Sequence, residues 1–286
     1  MSKKVGIVGY GYLGKAYHKV FPDAVVYDEP NELFIRAGIP FTIGDHAEGI
    51  SCTLKFARDS INECDMVVVA VPTDPLEDGS LSMGIVEEVI DWIEAPLILI
   101  KSALMPGTVD RLVEKTGKKI AVSVEYIGMG NYYVDPHDYP DPLDPQKHKL
   151  LVVGGETATA EACASILWSK MSPDVRIHLV SAKEAEICKL LENAYGALKV
   201  TWANSIYDFI TQSGESYIKV HQAWSEDGRV DPMHTRVVPG KRGWKSHCYD
   251  KDIAALVAAA DKVEAHALSA LMQQVININI GHVGKN

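Results

Sequence analysis

A glycine motif between a strand-like run and a helical run constrains the fold of this chain more than any other feature. Lys4–Val8 is largely apolar and β-branched, and Tyr12–Val20 has helical spacing. In such a motif the first glycine permits a tight turn, the second lets backbone approach a pyrophosphate, and the third lets the helix pack on the strand. The motif therefore predicts a dinucleotide bound at the helix N-terminus. The residues predicted to bind it are Gly9, Gly11, Tyr12, Leu13 and Gly14.

Asp28 ends the next predicted strand, close to the spacing of about 20 residues at which an acidic residue binds the adenosine ribose. Its carboxylate would accept hydrogen bonds from the 2′-hydroxyl and would repel a 2′-phosphate, so NAD is favoured over NADP. A glycine turn without a ligand is the alternative. FAD and epimerase-type sites share this motif, so it indicates a cofactor class and no reaction.

Short apolar runs alternate with helical patterns through the first part of the chain, which is typical of a parallel α/β sheet. The predicted strands are Lys4–Val8, Ala24–Tyr27, Leu54–Ala57, Met66–Val71, Leu97–Lys101, Ile120–Val124, Lys149–Val153 and Val175–Leu179. The predicted helices are Tyr12–Val20, Gly84–Trp92, Thr108–Lys115 and Thr157–Ser169. We expect a Rossmann-like, doubly wound, mostly parallel sheet over residues 1–180.

The pattern becomes helical after residue 180. Ala182–Thr211 has apolar residues at helical spacing over a length that suits a buried spine or an oligomer interface. The segment Asp227–His247 is rich in turn residues, and a last helical stretch runs from Asp252 to Ile278. We expect residues 181–286 to form an all-helical domain with one long spine helix. The prolines of Asp135–Pro145 exclude regular structure there, and we interpret this segment as an acidic surface loop, with a lid as the alternative.

Charge and hydropathy exclude several classes of partner. The net charge of −10 argues against non-specific nucleic-acid binding. No apolar run reaches the length of about 20 residues that a membrane span needs, and the start of the chain lacks the apolar core of a signal peptide. The ten histidines show no HxxxH or HExxH pattern, so no metal site is expected. We expect a cytoplasmic protein that binds neither nucleic acid nor a membrane.

The five cysteines are scattered and form no CxxC pair, which argues against a disulfide framework or a zinc knuckle. Four of them lie in apolar or helical runs where a buried, unreactive thiol is expected: Cys52, Cys64, Cys163 and Cys188. Cys248 has polar and charged neighbours and lies between a turn and a helix start. A helix N-terminus and the nearby Lys251 would both lower the pKa of its thiol and favour the nucleophilic thiolate.

Two further groups of residues suggest a site. Lys189 and Asn193 are four residues apart in the long helix and project from one face, which flanking apolar residues would partly enclose. A lysine in such a cleft has its charged form disfavoured or directs its charge at a developing oxyanion. A solvated pair is the alternative for these two residues. The second group, Lys241, Arg242 and Lys245, precedes Cys248 and would suit a phosphate or carboxylate of the substrate. A solvated turn is the alternative for that group.

Five segments resemble, in order, motifs of the UDP-glucose/GDP-mannose dehydrogenase family, and the resemblance runs over nearly all of the chain. In the first part of the chain, Val71-Pro72-Thr73 resembles the family's VPT cofactor turn, and Ser102-Ala-Leu-Met-Pro106-Gly107-Thr108 resembles its STVPPGT segment. Glu125-Tyr-Ile-Gly-Met-Gly130 resembles the PEFLREG segment. Further on, Glu184-x-x-x-x-Lys189-Leu-x-x-Asn193 resembles the family's Lys/Asn helix, and Cys248-Tyr-Asp-Lys251-Asp252 resembles CFPKD.

The resemblance implies a four-electron oxidation of a primary alcohol to a carboxylate with two NAD, through a thiohemiacetal and a thioester on Cys248. Lys189 and Asn193 would stabilise the oxyanions, and Glu125 or Asp252 would act as the base. It also implies a homodimer formed through the long helix, and a substrate that is a nucleotide sugar or another anionic alcohol. The implied additional cofactor contacts are Val71, Pro72, Thr73, Ser102 and Lys251.

The chain departs from the family pattern in several places. The family's third, UDP-binding domain has no counterpart before Asn286, and the family's GFGGSC reads Gly243-Trp-Lys-Ser-His-Cys248. Ala103 replaces the threonine of STVP, and the loop His137–Pro145 looks longer than usual. The chain could therefore be a reduced dehydrogenase for a smaller or differently held alcohol, or a second chain or the second subunit of a dimer could supply the missing nucleotide contacts.

Two other functions stay open at this point. One is a two-electron dehydrogenase resembling the 6-phosphogluconate and β-hydroxyacid enzymes, which share the domain order and the Lys/Asn pair but need no cysteine. The other is an NAD-binding protein that has lost catalysis.

Overall fold

The computed structural model of the protein describes residues 3–44, 46–47, 50–125, 127 and 144–284. They fall into two compact units. The first comprises the described residues of 3–74, 81–127 and 144–189, and the second comprises 75–80 and 190–284. The division lies within the long helix, whereas the sequence suggested a boundary just before it. As a boundary between domains, residue 180 stays a prediction.

The first unit is built on a nine-stranded sheet. In spatial order its strands are β11 (Arg176–Val180), β10 (Leu150–Gly155), β9 (Ile120–Ser123), β8 (Ile98–Ile100), β7 (Met66–Val69), β1 (Val5–Val8), β2 (Val25–Asp28), β3 (Leu33–Arg36) and β4 (Ile39–Thr42). A separate two-stranded ladder joins β5 (His46–Ala47) and β6 (Ile50–Ser51).

Strand β1 pairs in parallel with β2 on one side and with β7 on the other. The strand order therefore reverses at β1, and in open α/β sheets ligands bind outside the carboxyl ends of the strands at such a point. Strands β7, β8 and β9 continue in parallel, while β10 runs antiparallel to β9. The prediction of a Rossmann-like, mostly parallel, doubly wound sheet is confirmed.

The helices of the first unit pack on this sheet, and the long helix leads into the second unit. They are α1 (Tyr12–Val20), α2 (Leu54–Asn62), α3 (Gly84–Trp92), α4 (Thr108–Thr116), α5 (Thr157–Trp168) and α6 (Ala182–Gln212). The core beneath them includes Ile7, Val26, Val68 and Leu99, each with no exposed surface. Burial of these side chains is the main favourable contribution to the stability of the sheet.

The second unit contains the C-terminal part of α6 together with α7 (Tyr217–Ser225), α8 (His247–Lys262) and α9 (His266–Val283). Helices α8 and α9 pack against each other. An isolated antiparallel bridge joins Val238 and Lys241 in the segment before α8. The expectation of a helical C-terminal region with one long helix is confirmed.

Two predictions of secondary structure were wrong, and one pair of strands was not predicted. Leu54–Ala57 is the first turn of α2, because Thr53 caps a helix there and Ala57 and Ile61 bury one face of it. The last helical stretch is two helices, separated where Glu264 takes a left-handed backbone with φ +60°. The hairpin β3–β4 was missed, and its turn has positive φ at Ala37 and Gly38.

The burial predicted for the four cysteines other than Cys248 is correct for three of them. Cys52, Cys64 and Cys163 are buried as expected, and burial raises the pKa of the Cys163 thiol to about 12. Cys188 is exposed on α6, so the prediction that it is buried was wrong. The predicted acidic loop Asp135–Pro145 lies outside the described residues up to residue 143. Within the described chain, none of the helices combines the length and the apolar character needed to cross a membrane.

Candidate active site

The three glycines of the motif differ in what a side chain at each position would contact. Gly9 has φ +92°, and a Cβ there would lie 2.5 Å from the carbonyl oxygen of Ala70 at the end of β7. A Cβ on Gly14 would collide with the carbonyl of Gly9. A Cβ on Gly11 would meet no protein atom within 4 Å, and its φ of −70° is open to any residue. Packing requires the outer two glycines, while the open space at Gly11 fits a ligand that approaches the start of α1.

Asp28 lies at the end of β2 and is buried. One carboxylate oxygen accepts a hydrogen bond from Tyr10 N at 2.5 Å, and the other accepts from Asn31 N at 3.0 Å and from Asn31 Nδ2 at 2.8 Å. The carboxylate thus fastens the glycine loop to β2. A carboxylate has about four acceptor positions, so Asp28 keeps capacity for a ribose hydroxyl.

The other predicted cofactor residues of this unit lie at the carboxyl ends of β7 and β8. Ser102 Oγ donates a 2.6 Å hydrogen bond to the carbonyl oxygen of Val71, which ties the two strand ends together. Thr73 and Ser102 are buried, while Pro72 is exposed. At the glycine loop, Tyr12 is half exposed and Leu13 packs against the core. Both strand ends therefore lie at the edge of the sheet where a dinucleotide would bind.

Glu125 follows β9 and is buried in an ion pair with Lys101. The distance from Lys101 Nζ to Glu125 Oε2 is 3.2 Å, and the same ammonium group donates to Ser123 Oγ and to the carbonyl oxygen of Val124. Lys189 Nζ donates to the backbone carbonyl of Glu125 at 2.6 Å. Burial would raise the pKa of Glu125, but the charges of Lys101 and Lys189 outweigh it and hold that pKa below its usual value. Glu125 is therefore ionised at neutral pH.

Sequence reasoning missed Lys101. The available signal was a lysine that ends a wholly apolar strand, because a buried lysine almost always has a partner. A cavity of about 20 Å³ lies beside the ion pair and is lined in part by Tyr17 and His148. This volume holds about one water molecule. Burial, together with the neighbouring charge of Glu125, raises the pKa of the Tyr17 phenol well above its usual value.

In the second unit a buried carboxylate joins α6 to α8. Asp252 is 1% exposed, and its Oδ2 accepts a hydrogen bond from Asn193 Nδ2 at 2.6 Å. Its Oδ1 contacts Lys251 Nζ at 2.6 Å, so the charge of Lys251 is directed at Asp252. This differs from the expectation that Lys251 acts on the thiol of Cys248.

Cys248 lies in the first turn of α8 and is partly exposed. Ser246 caps this helix, because its Oγ accepts a 3.0 Å hydrogen bond from Tyr249 N. Cys248 and Asp252 are one helical turn apart and so lie on the same face of α8. The thiol therefore lies at the positive end of a helix dipole, beside the carboxylate that Asn193 holds.

The basic group before Cys248 is not a cluster of three available cations. The guanidinium of Arg242 is buried, with Nη2 2.9 Å from Asp208 Oδ1 and Nε donating to Asn204 Oδ1 at 2.6 Å. This is contrary to the expectation that Arg242 offers its charge to a substrate anion. Lys241 and Lys245 are exposed. A substrate role for these two lysines stays a prediction.

The predicted catalytic residues thus form two groups. Glu125 and Lys189 belong to the first unit, and Asn193, Cys248, Lys251 and Asp252 belong to the second. Among the side chains that the structure describes, no set of three or more His, Cys, Asp or Glu residues could hold a metal ion.

Residues 183–280 match the model of the UDP-glucose/GDP-mannose dehydrogenase family, central domain. The UDP-glucose 6-dehydrogenase AglM of Haloferax volcanii is 26% identical over 241 residues, which cover 78% of this chain and 54% of that protein. The putative UDP-glucose 6-dehydrogenase YtcA of Bacillus subtilis is 26% identical over 306 residues, with 98% and 68% covered. The chain spans about half the length of the first of these relatives.

The fold is that of solved dehydrogenases. A UDP-glucose dehydrogenase from Pyrobaculum islandicum superposes with a TM-score of 0.74 at 20% identity, over 98% of this chain and 68% of that one. The fold, the order of the five motif-like segments and the match of residues 183–280 agree with one another. The chain is therefore similar to the UDP-glucose/GDP-mannose dehydrogenase family, whose central domain residues 183–280 match.

Proposed function

We propose that the chain is an NAD-dependent dehydrogenase that oxidises a primary alcohol of an anionic substrate, of the nucleotide-sugar class, to a carboxylate. The observation that carries the proposal is the thiol of Cys248 in the first turn of α8, one turn from a buried carboxylate that Asn193 holds. A two-electron alcohol dehydrogenase needs no such thiol.

The first unit supports NAD as the cofactor. The open space at Gly11 fits a pyrophosphate on the N-terminus of α1, and the outer glycines shape the loop around it. The remaining acceptor capacity of Asp28 suits a ribose hydroxyl, and its charge opposes a 2′-phosphate. When bound, NAD would supply the hydride acceptor for each of two successive oxidations.

Cys248 would keep the half-oxidised substrate on the protein. Its thiolate adds to the aldehyde carbon, a C–S bond forms, and the carbonyl electrons move to the oxygen as an oxyanion. Lys189 and Asn193 are the groups proposed to stabilise that oxyanion. Oxidation of this adduct gives a thioester, and water then adds and expels the thiolate. Alcohol, water and two NAD are converted to carboxylate, two NADH and three protons.

Glu125 or Asp252 would accept a proton from the attacking water or from the alcohol. Glu125 is suited to this because Lys101 and Lys189 keep it ionised, so a proton acceptor is present at neutral pH. Asp252 already contacts Asn193 and Lys251, which suits it to hold those two side chains in place. We therefore propose Glu125 as the base and Asp252 as the residue that orients Asn193.

A second copy of the chain is the proposed partner. Tyr195, Trp202 and Phe209 repeat every seven residues along α6, and 57%, 58% and 70% of their surfaces are exposed. Leu191 continues the same stripe and is 43% exposed. Aromatic side chains at a seven-residue spacing suit the packing of one helix against its copy. We propose that α6 forms a homodimer interface.

The test is to incubate the protein with NAD and a panel that includes UDP-glucose and GDP-mannose, and to measure NADH and acid together. Two NADH per carboxylate is the expected result. Cys248→Ser should bind NAD as before but form no acid, while Cys163→Ala, on α5 and outside the proposed site, should form acid as wild type does.

Other outcomes would favour a different function. One NADH per product with a ketone or aldehyde would favour the two-electron dehydrogenase. NAD binding without turnover of any panel member would favour a protein that has lost catalysis. Full acid formation by Cys248→Ser would exclude a covalent role for that cysteine.

A further inference from the structure

The segment that leads into the Cys248 helix is fixed to α9 by one side chain. Asn279 lies on α9 and is 4% exposed. Its Oδ1 accepts a 2.8 Å hydrogen bond from the backbone N–H of Trp244, and its Nδ2 donates a 2.7 Å hydrogen bond to the backbone carbonyl of the same residue. One amide group thus satisfies both backbone polar groups of Trp244.

The neighbours of Trp244 show how closely the backbone lies against α9. Gly243 has φ +69°, and a Cβ there would lie 2.6 Å from Asn279 Oδ1 and 3.0 Å from Val283 Cγ2. The Trp244 indole is buried, and its Nε1 donates to Thr201 Oγ1 at 2.9 Å. A side chain at residue 243 would therefore push the backbone away from Asn279.

The position of Trp244 determines where α8 begins. Ser246, two residues later, is the N-cap, and its own N–H donates to Asp250 Oδ2 at 3.0 Å. Cys248 follows in the first turn. Since a thiol in this turn interacts with only the first few backbone N–H groups, a small shift of the helix start changes its electrostatic environment.

We propose that Asn279 is a positioning residue for the Cys248 nucleophile. It holds the Trp244 backbone so that α8 starts with the thiol at the N-terminus of the helix. The role needs a donor and an acceptor in one planar group, which an aspartate or a leucine lacks. The inference rests on the proposed covalent function of Cys248, and it adds a residue that lies outside the motifs that resemble the family.

The experiment measures the rate at which iodoacetamide alkylates individual cysteines as a function of pH, read by peptide mass spectrometry. Glutathione added to the same solution is the reference thiol, because Cys188 lies seven residues before Tyr195 on the proposed dimer interface. In wild type, Cys248 should react severalfold faster than glutathione near neutral pH. In Asn279→Asp the Cys248 profile should move to higher pH and its rate near neutrality should fall severalfold, while glutathione is unchanged.

A second variant separates positioning from general loss of packing. Trp244→Phe removes the indole N–H that donates to Thr201 but keeps both backbone bonds to Asn279. It should lower the thermal stability and leave the Cys248 profile in place. Equal shifts in both variants would show that Asn279 acts only through stability and would overturn the proposal.

Two further results distinguish a failure of the covalent function from a failure of the positioning role. If wild-type Cys248 reacts no faster than glutathione, the covalent function fails. If it reacts faster and Asn279→Asp retains that rate, the positioning role fails. Should the Asn279 variants not fold, backbone hydrogen exchange of wild type still decides: the Trp244 amide should exchange as slowly as α9, and fast exchange there would contradict the proposal.

Discussion

Lys101 and Glu125 form an ion pair that is almost completely buried. Their Nζ and Oε2 atoms are 3.2 Å apart, and the two side chains are 1% and 10% exposed. Lys101 comes from the end of β8 and Glu125 from the end of β9, so the pair joins two neighbouring strand ends at the carboxyl edge of the sheet. The Lys101 Nζ also lies over the ring of Tyr17, 5.0 Å from its centroid.

Lys101→Met should destabilise the protein by about 3–5 kcal/mol, because it leaves the Glu125 carboxylate buried without its main counter-charge. The free energy of unfolding in urea measures this. The variant should also raise the pKa of Glu125, since the Lys101 charge is the largest influence that lowers it. If the enzyme uses Glu125 as a base, the acid limb of its pH–rate profile should move to higher pH.

A surface pair provides the control. Lys115 and Asp91 are 3.0 Å apart, but their side chains are about half exposed. Lys115→Met should therefore change the stability by no more than about 1 kcal/mol. Adding Glu125→Gln to Lys101→Met should recover much of the loss, because it removes the unpaired charge. Equal losses in the Lys101 and Lys115 variants would show that the buried pair has no special contribution.

Asp252→Asn should abolish acid formation while NAD binding is retained. The change leaves the ammonium of Lys251 without its buried carboxylate and removes the charge that holds the Asn193 amide. The measurements are acid formation and NAD affinity. Asp261→Asn, at an exposed position near the end of the same helix, is the control and should keep wild-type activity. Wild-type turnover by Asp252→Asn would exclude the role proposed for this carboxylate.

The parts of the fold that depend on local chemistry were predictable from the sequence. The Gly9–Gly14 loop, for example, is encoded within a few neighbouring residues. Leu54–Ala57 has a composition that suits a strand, and the structure makes it helical because Thr53 caps it and the sheet buries Ala57. Glu264 follows α8 in a left-handed conformation that usually takes glycine, so no residue type marks the break between the last two helices.

The parts of the site that depend on distant partners were not predictable. Lys101 meets Glu125, and Asn279 meets Trp244, across long stretches of chain, and no spacing rule connects such residues. Arg242 looked available for an anion because its sequence neighbours are basic and polar. The structure buries it against Asp208, which is on another element. Burial and pairing of single polar side chains are properties of the packed molecule.

We expect a substitution at Gly11 to weaken cofactor binding without changing the stability of the fold. Gly11→Ala should fold with wild-type stability, because its φ suits alanine and no protein atom is near the new Cβ. It should weaken NAD binding, since the methyl group would occupy the space left for the pyrophosphate. Thermal unfolding and NAD titration followed by protein fluorescence measure the two effects.

Gly9→Ala is the contrasting variant. Its Cβ would meet the Ala70 carbonyl and its φ is positive, so the stability itself should fall. If Gly11→Ala binds NAD as tightly as wild type, the pyrophosphate does not approach residue 11.

If the exposed stripe of Leu191, Tyr195, Trp202 and Phe209 on α6 forms the dimer interface, a charged side chain in it should dissociate the dimer. Trp202→Glu, and separately Phe209→Glu, should shift the molar mass measured by light scattering from dimer to monomer. Ile218→Glu is the control, because Ile218 is 77% exposed but lies on α7, outside the stripe. It should leave the dimer intact. A wild-type protein that is monomeric at micromolar concentration would remove this proposal.

We expect Glu186 to make the free energy of unfolding depend on pH. It is buried on α6, and its carboxylate accepts hydrogen bonds from Gly107 N and Val109 N at the start of α4. Burial raises its pKa from 4.5 to about 7 despite these donors. Because the folded protein holds this proton more tightly than the unfolded chain, stability is greatest below the unfolded pKa and falls as pH rises towards 7. The loss should be on the order of 3 kcal/mol.

The difference in unfolding free energy between wild type and Glu186→Gln, measured at several pH values between about 5 and 8, isolates this contribution. Carboxylates with lowered pKa values, such as Glu125, change the stability in the opposite direction, but they are common to both proteins and cancel. Glu184→Gln is the control on the same helix. Hydrogen bonds from Ser181 lower the pKa of Glu184, so it titrates below this window and its variant should keep the wild-type slope. A Glu186→Gln protein with the wild-type slope would show that Glu186 stays ionised in the fold, because its two backbone donors outweigh its burial.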